Sequence, residues 1–289
     1  MIASVMFPSP VASRWTFDPL IVAPAVWAVS VYALGLRSGG MRAVGRARAT
    51  SFFAGVAVAL LSLVSPLHAA STVTFSAHML QHQVLMLLAA PLIATGRPGL
   101  VMALAFSVGV RRVFARVAAA EPARSALHVL RNPLVILLVF TGVLWIWHLP
   151  GPYQAAVQNG EVHALEHGCF FAVAFAFWAG ILRTGPRRRI RYVPSLLLVA
   201  GTMLLTGWLG AILTFGNLVY PVYAQRAAFL GLDAHLDQQL AGVIMWVPST
   251  LIYLIAFGAL FVRWFNELDL QAPRAPAQER AQLRAVIEP

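Results

Sequence analysis

Apolar and polar positions fall in long blocks along this chain. Seven apolar runs stand out: Pro19–Leu36, Ser51–Ala69, Phe75–Ala94, Pro133–Pro150, Val162–Leu182, Val193–Phe215 and Leu240–Val262. Each approaches the roughly 20 residues that a helix needs to cross a hydrocarbon core. The pattern predicts an all-α polytopic membrane bundle of seven transmembrane helices. A further apolar run, Gly99–Val110, is stopped too early by Arg111 and Arg112. The 98–131 segment is therefore expected as a cytoplasmic stretch lying at the interface, its arginines near anionic headgroups. The Ala-, Pro-, Arg- and Glu-rich 271–289 stretch is expected as a mobile cytoplasmic tail. The whole chain, 1–289, reads as a single membrane domain without a soluble module.

Composition makes the bilayer the solvent: 60% of the 289 residues are hydrophobic and only 11% charged, against roughly 25% charged in soluble domains. All 21 basic residues are arginine, and they sort by side. Arg37, Arg42, Arg46 and Arg48 follow the first run; Arg97, Arg111, Arg112, Arg116, Arg124 and Arg131 the third; Arg183, Arg187, Arg188, Arg189 and Arg191 the fifth; Arg263, Arg274, Arg280 and Arg284 the seventh. Only Arg14 and Arg226 lie on the other side. Because cytoplasmic loops carry the basic excess, the N-terminus is expected outside and the C-terminus in the cytoplasm. The net charge of +11 thus reflects orientation, and nucleic-acid binding is set aside. The one cysteine, Cys169, allows neither an internal disulfide nor a CxxC site. No basic cluster precedes the first apolar run, so no cleavable leader is expected.

Histidine mirrors arginine. His68, His78, His82, His148, His163, His167 and His235 all fall at the outer ends of the runs, and only His128 does not. His78/His82 and His163/His167 are i,i+4 pairs at the start of the third and fifth runs, so each pair projects from one helix face. Glu166 shares the face of its pair, Met86 continues the stripe of His82, and Asp237, Gln238 and Met245 lead into the seventh run. Cys169 points away from His167 on an ideal helix. The second-to-third and fourth-to-fifth hairpins each have one histidine leaving and two arriving, a layout compatible with a parallel repeat. Ionisable groups inside a span are costly and face a bundle interior or cavity, which makes the group a candidate metal site. Imidazole suits copper, zinc, iron and nickel, and thioether selects reduced copper. Copper fits best, and axial ligation of haem by histidines of the third and fifth runs stays open. His163-Ala-Leu-Glu166-His167 also matches the inverted zincin pattern H-x-x-E-H, but its helix continues into the bilayer without a substrate cleft, so no enzyme is expected. Neutral imidazole ligands predict loss of metal as pH falls through roughly 6.5.

Three blocks, FSAHMLQHQVLMLLAAPLIATGRP, WIWHLPGPYQAAVQNGEVHALEH and DQQLAGVIMWVPSTLIYL, resemble in order those of the CtaG family of integral-membrane cytochrome c oxidase assembly factors. The resemblance runs from about Phe17 to Phe265. It implies a multi-pass protein of the bacterial inner membrane, needed to form active haem-copper oxidase, with a role in supplying or inserting copper. It carries His78, Gln81, His82, Trp147, His148, His163, Glu166, His167, Asp237, Gln238 and Met245. His78, His82, His148, His163 and His167 are the expected metal ligands, with Glu166, Asp237, Gln238, Met86 and Met245 in support. His68 stands where an acidic residue is expected in many relatives, and His235 falls outside the shared blocks. The implied partners are an oxidase subunit or another copper-delivery protein. A haem-binding electron carrier and a copper transport or resistance protein are the alternatives. Against transport, no chain of ligands reaches the cytoplasmic halves of the runs.

Overall fold

A computed structural model describes residues 14–183, 192–223 and 233–271. The expected tail beyond Gln271, Arg187 to Arg191 and Arg226 lie outside the described residues. Within them every regular element is helical. Five stretches are long and apolar enough to cross a bilayer: Pro19–Val64, Phe75–Thr95, Gly160–Leu182, Tyr192–Phe215 and Ala234–Asp269. Glu121–Leu130 with Pro133–Trp147, bent by 70°, makes a sixth when counted as one.

Helix α1, Pro19–Gly35, starts where Asp18 accepts a hydrogen bond from the Leu20 amide, with proline at the first helical position. A kinked turn over Leu36–Gly40 leads into α2, Met41–Val64. Gly39 at φ 103° and Gly45 at φ 76° take backbone conformations that side chains with a Cβ resist. The chain reverses there. The Tyr32 ring stacks on Phe52 at 3.7 Å, and the Thr16 amide donates to the Val64 carbonyl at 2.9 Å. Residues so far apart meet only if α1 and the long part of α2 run antiparallel, so the first two expected runs form a hairpin within Pro19–Val64. Helix α5, Pro98–Ala103, seats against this reversal, where a Cβ on Gly35 would stand 1.9 Å from the Val101 carbonyl oxygen.

Sequence reading carried the second run to Ala69, but α2 ends at Val64, and Ser65 caps a separate short helix, α3, Pro66–Ser71. Helix α4, Phe75–Thr95, contains a π turn over Val84–Ala89. There the Ala90 amide donates to Leu85, five residues back, and Pro91 has no amide to offer. The Met86 carbonyl is thereby left without its helical donors, and the Trp178 indole N–H supplies one at 2.9 Å. Helices α6, Val108–Ala119, and α7, Glu121–Leu130, bury no residue.

Helix α8, Pro133–Trp147, is shorter than the expected fourth run because Pro150 opens a new helix, α9, Pro150–Gln158. Asn159 then caps α10, Gly160–Leu182, through the amides of Glu161 and Val162. Helices α11, Tyr192–Phe215, and α12, Ala234–Gln271, complete the described bundle. The α2–α4 and α8–α10 hairpins share a layout: in each, a short helix opening on proline precedes the helix that carries an i,i+4 histidine pair.

Phe140, Phe177, Trp178 and Tyr253 lie in the main core, while Leu138, Leu204, Trp208, Phe215 and Ile255 face outward and are exposed. Apolar exposure on this scale suits lipid contact. Close helix approach depends on glycine at α12, where a Cβ on Gly242 would stand 2.4 Å from Thr214 Oγ1 and 2.6 Å from its backbone nitrogen. We expect Gly35→Ala and Gly242→Ala each to destabilise the folded chain by about 1–3 kcal/mol. Gly142→Ala, at a position with nothing within 4 Å of the added carbon, should leave the detergent unfolding midpoint unchanged or higher.

Candidate metal centre

The expected ligands converge because the first turns of α4, α10 and α12 meet at one end of the bundle. Asp237, at the start of α12, accepts hydrogen bonds from the α4 amides of Phe75 at 2.7 Å and Ser76 at 3.1 Å, and from the Ser76 hydroxyl. These first amides have no intrahelical acceptor, and the helix N-terminus favours negative charge. Asp237 therefore fixes the start of α4, one turn before His78, by holding backbone and not imidazole. Gln238 does similar work on the segment after α11. It accepts from the Val219 amide at 2.8 Å and donates to the Leu213 and Asn217 carbonyls at 3.2 and 2.9 Å. That segment carries Tyr220 and Tyr223. Met86 and Met245 are buried in the main core.

His78, His82, His163 and His167 form one cluster. Ring centroids are 4.4 Å apart for His78–His82, 4.8 Å for His78–His163, 4.3 Å for His163–His167 and 5.1 Å for His82–His167. His78 Nε2 lies 3.0 Å from His82 Nε2 and 3.3 Å from Glu166 Oε2, with His82 Nε2 3.9 Å from the same oxygen. His148 stands beside this cluster and not in it. Phe170 contacts both His82, at 4.6 Å, and His148, at 6.0 Å. Two ligand sets come within metal-binding reach, with atoms inside 4.8 Å of one another: His78, His163 and His167; and His78, His82 and Glu166. His235 is exposed, and the free Cys169 is only partly buried.

Hydrogen bonding sets the tautomers of two rings. The Tyr223 hydroxyl donates to the Ser71 carbonyl at 2.9 Å, so toward His78 Nδ1, also at 2.9 Å, its oxygen accepts. His78 thus carries its proton on Nδ1 and leaves a bare lone pair on Nε2. His148 Nδ1 lies 2.7 Å from the Leu144 carbonyl, which only accepts, so its Nε2 is also bare. His148 is thus held by one nitrogen and open at the other, the arrangement that protein metal ligands adopt, whereas His78 Nε2 meets His82 Nε2 at 3.0 Å.

Several polar atoms of the cluster have no partner within the protein. His82 Nδ1, Nε2 of His148, His163 and His167, and both Glu166 oxygens are buried without a hydrogen-bond partner. Glu166 is fully buried, with its His78 and His82 contacts at ion-pair distance only. A buried unpaired carboxylate is expensive, and a cation held by it and these nitrogens would relieve the cost. The donor set of imidazoles with one carboxylate suits a transition-metal ion.

Further neighbours surround the cluster, and of these the tyrosines were not foreseen from the sequence. His68, on α3 beyond the end of α2, stacks on His163 with centroids 5.6 Å apart, while Gln81 Nε2 reaches both His68 Nδ1, at 3.3 Å, and the Ser62 carbonyl, at 2.7 Å. Burial lowers the His68 pKa, which keeps that ring neutral and able to accept. Tyr153, Tyr220 and Tyr223 form the other wall. The Tyr153 and Tyr220 rings stack at 4.1 Å, and Tyr220 donates to the His148 carbonyl at 2.7 Å. Burial first, and the Glu166 charge second, raise the Tyr220 pKa, so the phenol stays protonated for that bond. The available signal was the placing of three of six tyrosines at the histidine ends of the runs.

Long apolar helices enclosing a buried polar centre define a multi-pass membrane protein. Residues 25–267 match the family described as cytochrome c oxidase caa3 assembly factor (Caa3_CtaG), and the chain belongs to that family. No curated protein and no solved structure matches it. The tautomers are directly testable. In histidine-labelled protein free of metal, the nitrogen shifts of His78 and His148 should report Nδ1–H, and Tyr223→Phe should alter His78 alone.

Proposed function

We propose that the chain binds copper at the His78/His82/His163/His167/Glu166 cluster and delivers it to a haem-copper oxidase during assembly. Family membership supports the assembly role. The observation that carries the copper reading is the convergence of a buried, unpaired carboxylate with imidazole nitrogens that lack hydrogen-bond partners. The ion is cargo, so the protein acts by binding and release without turnover, and ligand sets of three allow exchange more readily than a closed four-ligand cage. His148 supports the site across Phe170. Met86 and Met245 help by filling the core beneath it. The mutual contact of the four rings at 4.3–5.1 Å favours a small ion over a porphyrin, which weighs against the haem alternative.

In the membrane we place seven crossings. The α1 and α2 legs count separately, α8 counts as the fourth, and the histidine end faces the outer compartment of a bacterial inner membrane. The arginine distribution carries this orientation: Arg37, Arg42, Arg46, Arg97, Arg112, Arg116, Arg124 and Arg131 are exposed at the opposite ends of these helices.

Replacing His78 or His163 by alanine in the native membrane should lower oxidase copper content and activity about tenfold. Normal oxidase copper in both variants would end the copper reading. A fluorescent protein fused after Pro289 should fold and fluoresce, whereas an alkaline phosphatase fused there should be inactive; the reverse result would invert the topology.

A further inference from the structure

The two ligand sets share one residue, and a groove reaches the side chains of one of them. A groove of about 1120 Å³ runs between α1, α2 and α10, from Asp18 and Glu161 at the histidine end to Pro98 and Met102. His68, His163 and His167 line it, while His78, His82 and Glu166 do not. His78 belongs to both sets, with Nδ1–H engaged on Tyr223 and Nε2 the nitrogen left for a metal.

We propose that the cluster is a pair of overlapping ion stations pivoting on His78, loaded from this groove; the inference rests on the metal-binding function above. An ion arriving past the carboxylates of Asp18 and Glu161 is first held by His163, His167 and His78. It then moves inward by exchanging His163 and His167 for His82 and Glu166 while His78 stays bound. No redox change is required; a proton held on Glu166 in the metal-free site is released to water as the ion takes its oxygen. Three neutral imidazoles leave a cuprous ion with its full charge, whereas Glu166 makes the inner complex neutral overall. In a dry interior a neutral complex is favoured over a charged one, and this outweighs the modest affinity of carboxylate for a soft ion. The inner station therefore retains the ion, and the outer one sets the rate of exchange.

Purified full-length protein can be tested by anaerobic transfer of copper(I) from bicinchoninic acid. The wild type should take up one copper per chain. Gly168→Leu adds bulk on the groove wall, where no atom lies within 4 Å of a new Cβ; it should slow uptake about tenfold with affinity unchanged. Glu166→Gln should lower affinity about tenfold with the uptake rate unchanged. If Glu166→Gln does not fold, His82→Asn removes the same station. Two coppers per chain, wild-type uptake by Gly168→Leu, or unchanged affinity in the inner-station variant would overturn the relay while leaving copper binding intact. No copper on the wild-type protein would overturn the function itself.

Discussion

The hydrogen bonds from the first amides of α4 to Asp237 hold the polar end of this bundle together. A helix that begins inside a protein has amide groups with no acceptor of their own, and an aspartate from another chain segment can satisfy them only from one position. Phe75 and Ser76 are therefore locked to α12, and His78 and His82 follow at fixed heights and angles. The same α12 turn carries Gln238, which ties down the segment bearing Tyr220 and Tyr223. Two adjacent polar side chains thus fix both the helix that presents the imidazoles and the wall that orients them.

This economy explains how a bundle tolerates so many polar groups away from water. Ser76, Gln81, Asp237 and Gln238 bond backbone or one another and stabilise packing. Glu166 and the facing ring nitrogens do not. Convergence of unpartnered atoms from two helices at one place, more than burial alone, marks the site.

Much of this was legible in the order of residues. Apolar runs located the helices, because a bilayer demands both length and continuity. Histidine spacing of four placed each pair on one face, and the pairs do meet. The supporting residues were harder to read. Asp237 looked like a partner for imidazole, but its side chain is claimed by amides 161 and 162 residues away, a pairing that no local pattern encodes. His148, expected among the ligands, ends its run at the same level, and its ring lies 6.0 Å from that of Phe170 on α10. His68 stacks on His163 because it lies on the separate helix capped by Ser65. Gly39 and Gly45 sit in the arginine-rich connection where a break between the first two runs was expected, and their positive φ makes that break.

The π turn of α4 gives that helix one more residue than a regular path would need between its polar head and its Arg97 end. Each residue advances an α-helix by about 100°, so the surplus sets the azimuth of the upper half independently of the lower. Losing a single residue from Val84–Ala89 would remove this surplus. It would also swing the imidazoles about a quarter-turn from α10 while the foot of the helix stayed packed beneath Tyr32 and Ser51. Chain length within this one turn is thus as much a determinant of the centre as the identity of any donor atom.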